Sequence, residues 1–443
     1  VYKPGPHVPW VRLSHGDTPI YFSREGPNWF VPNPIADDIL CKLAAGEPPD
    51  GNLRAMRLMS RIPEVQKLDY PGRSGLLSLE RIGELWFHLT NRCNMACGHC
   101  LFSSSPAEKS EISTERVLEI SREAHDAGCG LFALTGGEPL VHPGIDSIVA
   151  ELLGYRRTHV VMLTNGLAVR PFLERLRPDP AFFHLQISLD GMGSTHDKLR
   201  GKGAFKKLCE SLLWLKDNAF PYTIAMCVTA SNARQMPEIV DFAADMGASN
   251  VHYMWYFVRG RGAPSGFADI DTLFGGLVEA SIRAKARGIA VDNIEAMKTQ
   301  IFAPAGTIHD GGTAGWESLA VGPDEKLYPS AALVGIEALA SDMGSGLVDA
   351  WRNAPVLAKI RNSTVAGGDS PLRFILGGGD IDHSYLHGGE FLGDDPYMEL
   401  YEKTALWLVS REAKKQRQSG EPGLLLEMGE ILRSCGAHGK VAL

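Results

Sequence analysis

Between residues 84 and 288, short apolar runs alternate with amphipathic stretches of helical length. The runs are Leu85–Leu89, Gly130–Leu134, Val160–Leu163, Phe183–Leu189, Thr223–Val228 and Val251–Phe257. Short, largely apolar runs alternating with helices predict the strands of a parallel sheet with crossover connections. After the first run, Val117, Ile120, Ala124 and Ala127 recur at helical spacing, with Ser113 as N-cap and Glu115 in the first turn. Six such units predict a partial (β/α)6, TIM-like barrel, with chemistry on the loops at the strand carboxyl ends.

The flanks carry different patterns. In residues 1–80, Tyr21-Phe22-Ser23 and Trp29-Phe30-Val31 surround Gly26-Pro27-Asn28, which predicts a hairpin. Asn33-Pro34 then opens a helical pattern of Ile35, Ile39, Leu40 and Leu43 that stops at Gly46-Glu47-Pro48-Pro49, and a second helix is expected over Leu53 to Met59. In residues 289–443, Glu317 to Ser330 reads as a hairpin around Gly322-Pro323-Asp324. Helices are expected over Pro396 to Lys415, packing through Leu400, Ala405, Leu406 and Leu408, and over Pro422 to Leu432. The expected division is therefore 1–80, 81–288 and 289–443.

Composition narrows the class. A chain of 443 residues can bury a large core, and 44% hydrophobic with 22% charged residues is ordinary for a soluble protein. A net charge of −8 argues against general nucleic-acid binding, and no apolar run approaches a membrane span. Eight cysteines without a secretory signature point to a reducing cytoplasm. The start at Val1 and the stop at Leu443 read as trimmed ends.

Three of the eight lie in Cys93-Asn94-Met95-Ala96-Cys97-Gly98-His99-Cys100, on the loop leaving the first barrel strand. Structural zinc sites pair two Cys-x2-Cys knuckles and close four positions, and no second knuckle follows. Three thiolates from one loop suit an iron–sulfur cube with its fourth iron open to a cofactor. Thr135-Gly136-Gly137-Glu138-Pro139 follows the second strand, where two glycines permit close backbone approach to a ligand and Glu138 supplies an acceptor, or where the run is only a turn. Thr164-Asn165-Gly166 and Ser188-Leu189-Asp190-Gly191 end the third and fourth strands, and either run is also readable as a turn. Arg259-Gly260-Arg261-Gly262 reads as a basic mouth loop that positions substrate, or as an exposed turn.

With Cys93, Cys97 and Cys100 at this spacing, the chain resembles the radical S-adenosylmethionine (SAM) enzymes, and its flanks resemble the SPASM-like peptide-maturase branch. The resemblance implies one [4Fe–4S] cluster on those cysteines and SAM chelated to its open iron. It implies that Gly136, Gly137 and Glu138 hold the methionyl amino group, that Ser188 lines the ribose and carboxylate side, and that Arg200, in His196-Asp197-Lys198-Leu199-Arg200-Gly201, clamps the carboxylate. Asp190 is open to three roles: contacting SAM, orienting substrate or capping the next helix. A precursor peptide as substrate and an external electron donor such as a flavodoxin or ferredoxin are implied as partners. Residues 1–80 resemble a winged-helix-like unit that would take a leader peptide on the exposed edge of its hairpin, or they simply pack on the barrel. A small molecule or folded protein as target, and a non-catalytic cluster-bearing subunit, stay open as alternatives.

The third segment departs from that branch. The hairpin keeps Tyr328-Pro329 but has Ser330 where a cluster cysteine is expected, and Ser370 to Asp380 holds no cysteine. Cys41, Cys129, Cys209, Cys227 and Cys435 are scattered singly, so auxiliary clusters are not expected. Asp380, Asp382, His383, His387 and Glu390 would bind a mononuclear metal, supply an acid or base near substrate, or merely brace a glycine-rich loop.

Overall fold

A computed structural model describes residues 10–47, 52–65, 69–417 and 419–429. Its strands are β1 (Trp10–His15), β2 (Thr18–Ser23), β3 (Trp29–Pro32), β4 (Glu84–His88), β5 (Leu131–Thr135), β6 (His159–Thr164), β7 (Phe183–Ser188), β8 (Tyr222–Val228), β9 (Asn250–Trp255), β10 (Ala290–Val291), β11 (Ser318–Val321), β12 (Leu327–Tyr328) and β13 (Leu424–Glu427). β4 to β9 pair in sequence order, each parallel to the next, so the expected strands form one α/β sheet. Alternate residues such as Leu85, Phe87, Phe132, Leu185 and Ile224 are fully buried on the face away from the cavity that Trp86 and Gln186 line, which fixes the register because a slip of one residue would exchange the two faces. β10 extends one edge, while β11 adds parallel to β4 at the other and carries β12 antiparallel outside it. This nine-stranded sheet is an open barrel type, and its carboxyl rim faces a cavity.

The helix Thr114–Asp126 begins where Ser113 accepts a hydrogen bond from the Arg116 amide, and it buries Val117, Ile120 and Ala124 against the sheet. The helix Met398–Ala413 buries Leu400, Ala405 and Leu408, with Leu406 half-buried beside them. The hairpin around Gly322 to Lys326 is present, closed by the Gly322 amide on the Lys326 carbonyl at 3.0 Å.

Two expectations change. The stretch over Pro422 to Leu432 is not a helix where described: Leu424–Glu427 is β13, paired antiparallel with β3. Three leucines and a glutamate are too short a run to choose between helix and strand, and the unpaired edge of β3 decides it. Consequently the β2–β3 hairpin has no exposed edge, since β1 pairs with β2 and β13 with β3 in the order β1-β2-β3-β13. The helices Pro34–Ala44, capped by Asn33, and Leu53–Met59 accompany this sheet, and the Trp29 indole N–H donates to the Ile301 carbonyl at 2.9 Å. Gly46 and Glu47 follow the first helix, whereas Pro48 and Pro49 lie outside the described residues, as does Cys435. Among the described residues no helix is long and apolar enough to cross a membrane.

Candidate active site

β4 ends at His88, and the chain then crosses the barrel rim as the cysteine loop. Cys93, Cys97 and Cys100 line a cavity of about 840 Å³, and none is in a disulfide. The loop is pinned by the Gly98 amide donating to the Leu199 carbonyl at 2.9 Å, and by Asn165 Nδ2 donating to Asn94 Oδ1 at 2.7 Å. Burial pushes the Cys93 thiol up to about 11 and raises that of Cys97, so their ionisation needs positive charge alongside. Among the described residues no three His, Cys, Asp or Glu side chains converge as ligands of one ion. The thiolates of a cube bind different irons and need not converge on one point, so three thiols spread along one loop fit such a cluster.

The Arg259–Gly262 loop was open to two readings, substrate positioning or an exposed turn, and it follows neither. Arg261 donates through Nε to the Cys97 carbonyl at 2.7 Å and through Nη2 to the Ser104 carbonyl at 2.8 Å. Arg259 donates to the Ala332 and Val334 carbonyls, both at 2.5 Å, and lies over the Phe102 ring. Both guanidinium groups therefore strap the cysteine loop to the β9 rim and to the segment after β12. Gly260 makes the strap possible: its φ is +64°, and a Cβ there would lie 2.4 Å from the Cys100 and Leu101 carbonyl oxygens. Gly260→Ala combines that collision with about 1–2 kcal/mol of left-handed strain. A several-fold loss of reconstituted iron and labile sulfide is expected; full reconstitution of the variant would show that the strap does not set the loop.

The glycine pair sits on the same rim. Gly136 and Gly137 line the cavity, and a Cβ on either would fall within 2.6 Å or 2.3 Å of the Thr90 or Arg92 carbonyl oxygen, respectively. Glu138 is fully buried behind them. Its Oε1 accepts from Thr164 Oγ1 at 2.8 Å and from the Leu140 amide at 3.1 Å, and its Oε2 accepts from the Asn165 amide at 2.8 Å. Burial raises this carboxyl against the pull of those donors. The Thr164-Asn165 run is thus the partner of Glu138, and Thr164 and Asn165 reach the cavity themselves.

Ser188, at the end of β7, lines the cavity, and Arg200 reaches it from the helix Ser194–Arg200. Asp190 is fully buried. Its Oδ2 accepts from Arg200 Nε at 2.5 Å and lies 2.9 Å from His99 Nε2, while its Oδ1 accepts from the Cys227 amide at 2.9 Å. Burial opposes the charge of Asp190, but Arg200 and His99 outweigh it and hold the carboxyl well below the usual carboxylate range. Of the three roles open to Asp190, capping the next helix does not occur, because the helix Ser194–Arg200 has Gly193 at its N-cap and no side-chain cap. Asp190 instead holds Arg200 from behind. Among the described residues the two Nη atoms of Arg200 have no hydrogen-bond partner, which leaves the planar fork free on the cavity side. His99 carried no role in the sequence reading; its signal was its position between Cys97 and Cys100, a loop already assigned to chemistry.

The acidic and histidine group of the third segment does not assemble. Asp380 caps the helix Ile381–Gly388, His383 stacks on Phe257 at 3.9 Å, and His387 and Glu390 are exposed. Only Asp380, Asp382 and His383 reach the cavity. Of the scattered thiols, Cys41 is exposed, Cys209 is half-buried, and Cys129 and Cys227 are buried, with Cys227 also lining the cavity.

Residues 87–243 match the model of the Radical SAM superfamily. The chain is 34% identical over 179 residues to the antilisterial bacteriocin subtilosin biosynthesis protein AlbA of Bacillus subtilis, covering 40% of each chain. It is 32% identical over 196 residues to the sporulation killing factor maturation protein SkfB of the same species, covering 44% of this chain and 47% of that one. It is 31% identical over 183 residues to the AdoMet-dependent heme synthase of Methanosarcina barkeri, covering 40% and 52%. Each alignment thus covers about half or less of the curated relative's length. In fold, the chain is like Streptococcus suis SuiB bound to precursor peptide SuiA, with a TM-score of 0.59 and 14% identity over 87% of this chain and 99% of that one. The cysteine loop strapped to the rim of the open parallel barrel thus lies inside the span, residues 87–243, that matches the Radical SAM superfamily.

Proposed function

We propose that the chain is a radical SAM enzyme that modifies a ribosomally made peptide. The observation that carries the reading is the free guanidinium fork of Arg200 in the cavity that Cys93, Cys97 and Cys100 line, since a degenerate binding subunit has no need of a carboxylate clamp. Those three cysteines would hold one [4Fe–4S] cluster, and Gly136, Gly137, Ser188 and Arg200 would hold SAM, with Glu138 and Asp190 fixing the walls behind. The reduced cluster with SAM supplies a 5′-deoxyadenosyl radical able to take hydrogen from an unactivated carbon. The chain's own work is to fix the SAM carboxylate, exclude water and present one carbon. A peptide substrate is supported by the similarity to AlbA and SkfB and by a fold like that of SuiB bound to precursor peptide SuiA. An external one-electron donor and a reducing cytoplasm complete the reading.

Similarity to the heme synthase favours a second reading, a small-molecule substrate such as a tetrapyrrole. The anaerobic, reconstituted protein with dithionite and SAM is expected to release 5′-deoxyadenosine and methionine. Absence of both products sinks the proposal. Hydrogen abstraction from a tetrapyrrole and from no peptide would select the second reading.

A further inference from the structure

The cavity has a second wall, built from the segments that lack cysteines. Ser330 follows β12, and Asp382 lies in the first turn of the helix Ile381–Gly388. Their side chains meet at 2.5 Å, Ser330 Oγ donating to Asp382 Oδ1, and both residues line the cavity that holds Cys93, Cys97 and Cys100. The second oxygen, Asp382 Oδ2, has no hydrogen-bond partner among the described residues. Asp382 is only half-buried by area, yet protein encloses it, because the area that remains open lies on the cavity wall. Aromatic and apolar side chains, including Trp86, Phe102, Trp255 and Phe257, make up much of the rest of the lining.

The surroundings decide the protonation state. Burial raises the Asp382 carboxyl well above its ordinary value and Asp380 adds to this, whereas the Ser330 hydrogen bond and Arg259 pull the other way and do not prevail. Arg259 acts only at a distance, since its Nη groups donate to the Ala332 and Val334 carbonyls and it forms no ion pair with Asp382 among the described residues. His383, the next residue, is pushed down to about 4 by burial against Phe257 and Tyr397, so it is no cationic partner either. With Oδ1 taken as acceptor, the acid proton belongs on Oδ2. Tyr401 adds a second neutral donor to the cavity: burial raises its phenol, and its hydroxyl has no partner among the described residues.

We propose that Asp382, fixed by Ser330, binds substrate by donating a hydrogen bond from Oδ2 to a backbone carbonyl of the peptide residue that faces the cysteine loop. A neutral donor recognises a carbonyl without demanding charge, which suits a peptide backbone. The site stands where two segments lacking cluster cysteines come together, so a hydrogen-bonded pair joins them. This inference rests on the peptide reading above.

The test uses the reconstituted protein with SAM and a positional library of N-acetylated, C-amidated pentapeptides, with circular dichroism to check the fold of each variant. Asp382→Ala is expected to weaken binding of the selected peptides about tenfold, the value of one hydrogen bond. Asp382→Asn, which still accepts from Ser330 and donates from the other position, should stay within about threefold of wild type. Affinity of the wild type should fall as pH rises through the Asp382 value and stay level in Asp382→Asn, since Arg259 keeps its charge and His383 stays neutral over that range. Equal binding by wild type and Asp382→Ala overturns the inference and leaves the peptide reading standing. Binding by Asp382→Asn as weak as by Asp382→Ala overturns it too, because the carboxyl would then be acting as an acceptor or base. If the wild type binds no library peptide, the peptide reading falls and takes the inference with it.

Discussion

Alanine at Cys93, Cys97 or Cys100 should leave the reconstituted protein with little iron or labile sulfide and should lower 5′-deoxyadenosine release by at least about a thousandfold. The size follows from the chemistry: without the cluster no other group in the chain can deliver an electron to SAM, and the radical route closes entirely. Cys227→Ala is the informative contrast. Its thiol lines the same cavity, and burial raises it far above its usual range, but it sits on β8 and not on the cysteine loop. If three thiolates hold the cluster and the fourth iron is kept for SAM, Cys227→Ala should keep its iron and its reduced-cluster electron paramagnetic resonance signal, losing only about 1–2 kcal/mol from a small cavity. Iron content that falls in Cys227→Ala as far as in Cys97→Ala would make Cys227 a fourth ligand. The open iron would then be lost, and with it the proposed place for SAM.

The barrel was legible because its strands are largely apolar and spaced by amphipathic helices. A strand such as Tyr222–Val228, buried at every position, has to be uniformly apolar and declares itself without any partner being known. The same physics hid the N-terminal and C-terminal edges. β1 mixes Arg12, Ser14 and His15 among its apolar residues and was not read as a strand, although Gly16-Asp17 between it and β2 is a two-residue turn signal. β13 depends on β3, some 390 positions away along the chain, and no local pattern reports such a pairing. At the site, residue types showed which groups carry chemistry but not what they spend it on. The loop of Arg259 and Arg261 read as a substrate-positioning mouth or an exposed turn, and both side chains instead bind the chain's own carbonyls. Asp382 read as one member of a five-residue cluster, and the helix that carries it turns His387 outward and leaves Asp382 facing Ser330.

Asp190→Asn is expected to be the most damaging change outside the cysteine loop. In the native chain one oxygen of Asp190 serves both Arg200 Nε and His99 Nε2 while the other takes the Cys227 amide. An asparagine can keep its oxygen toward Cys227 or toward Arg200 but not both, so either orientation aims an N–H group at a donor. Removing the charge also strips a buried guanidinium of its counter-ion, a loss that costs about 3–5 kcal/mol in comparable pairs. Urea unfolding of the cluster-free protein should therefore show a loss of roughly 3 kcal/mol, and SAM affinity of the reconstituted protein should drop at least about tenfold as Arg200 loses its fixed aim. Arg200→Lys separates the two effects. It keeps a charge for Asp190 and gives up the fork, so stability should change less than in Asp190→Asn while SAM affinity falls by a similar factor. Wild-type SAM affinity in a destabilised Asp190→Asn would mean that Asp190 serves the packing of the rim alone and that Arg200 finds the carboxylate without it.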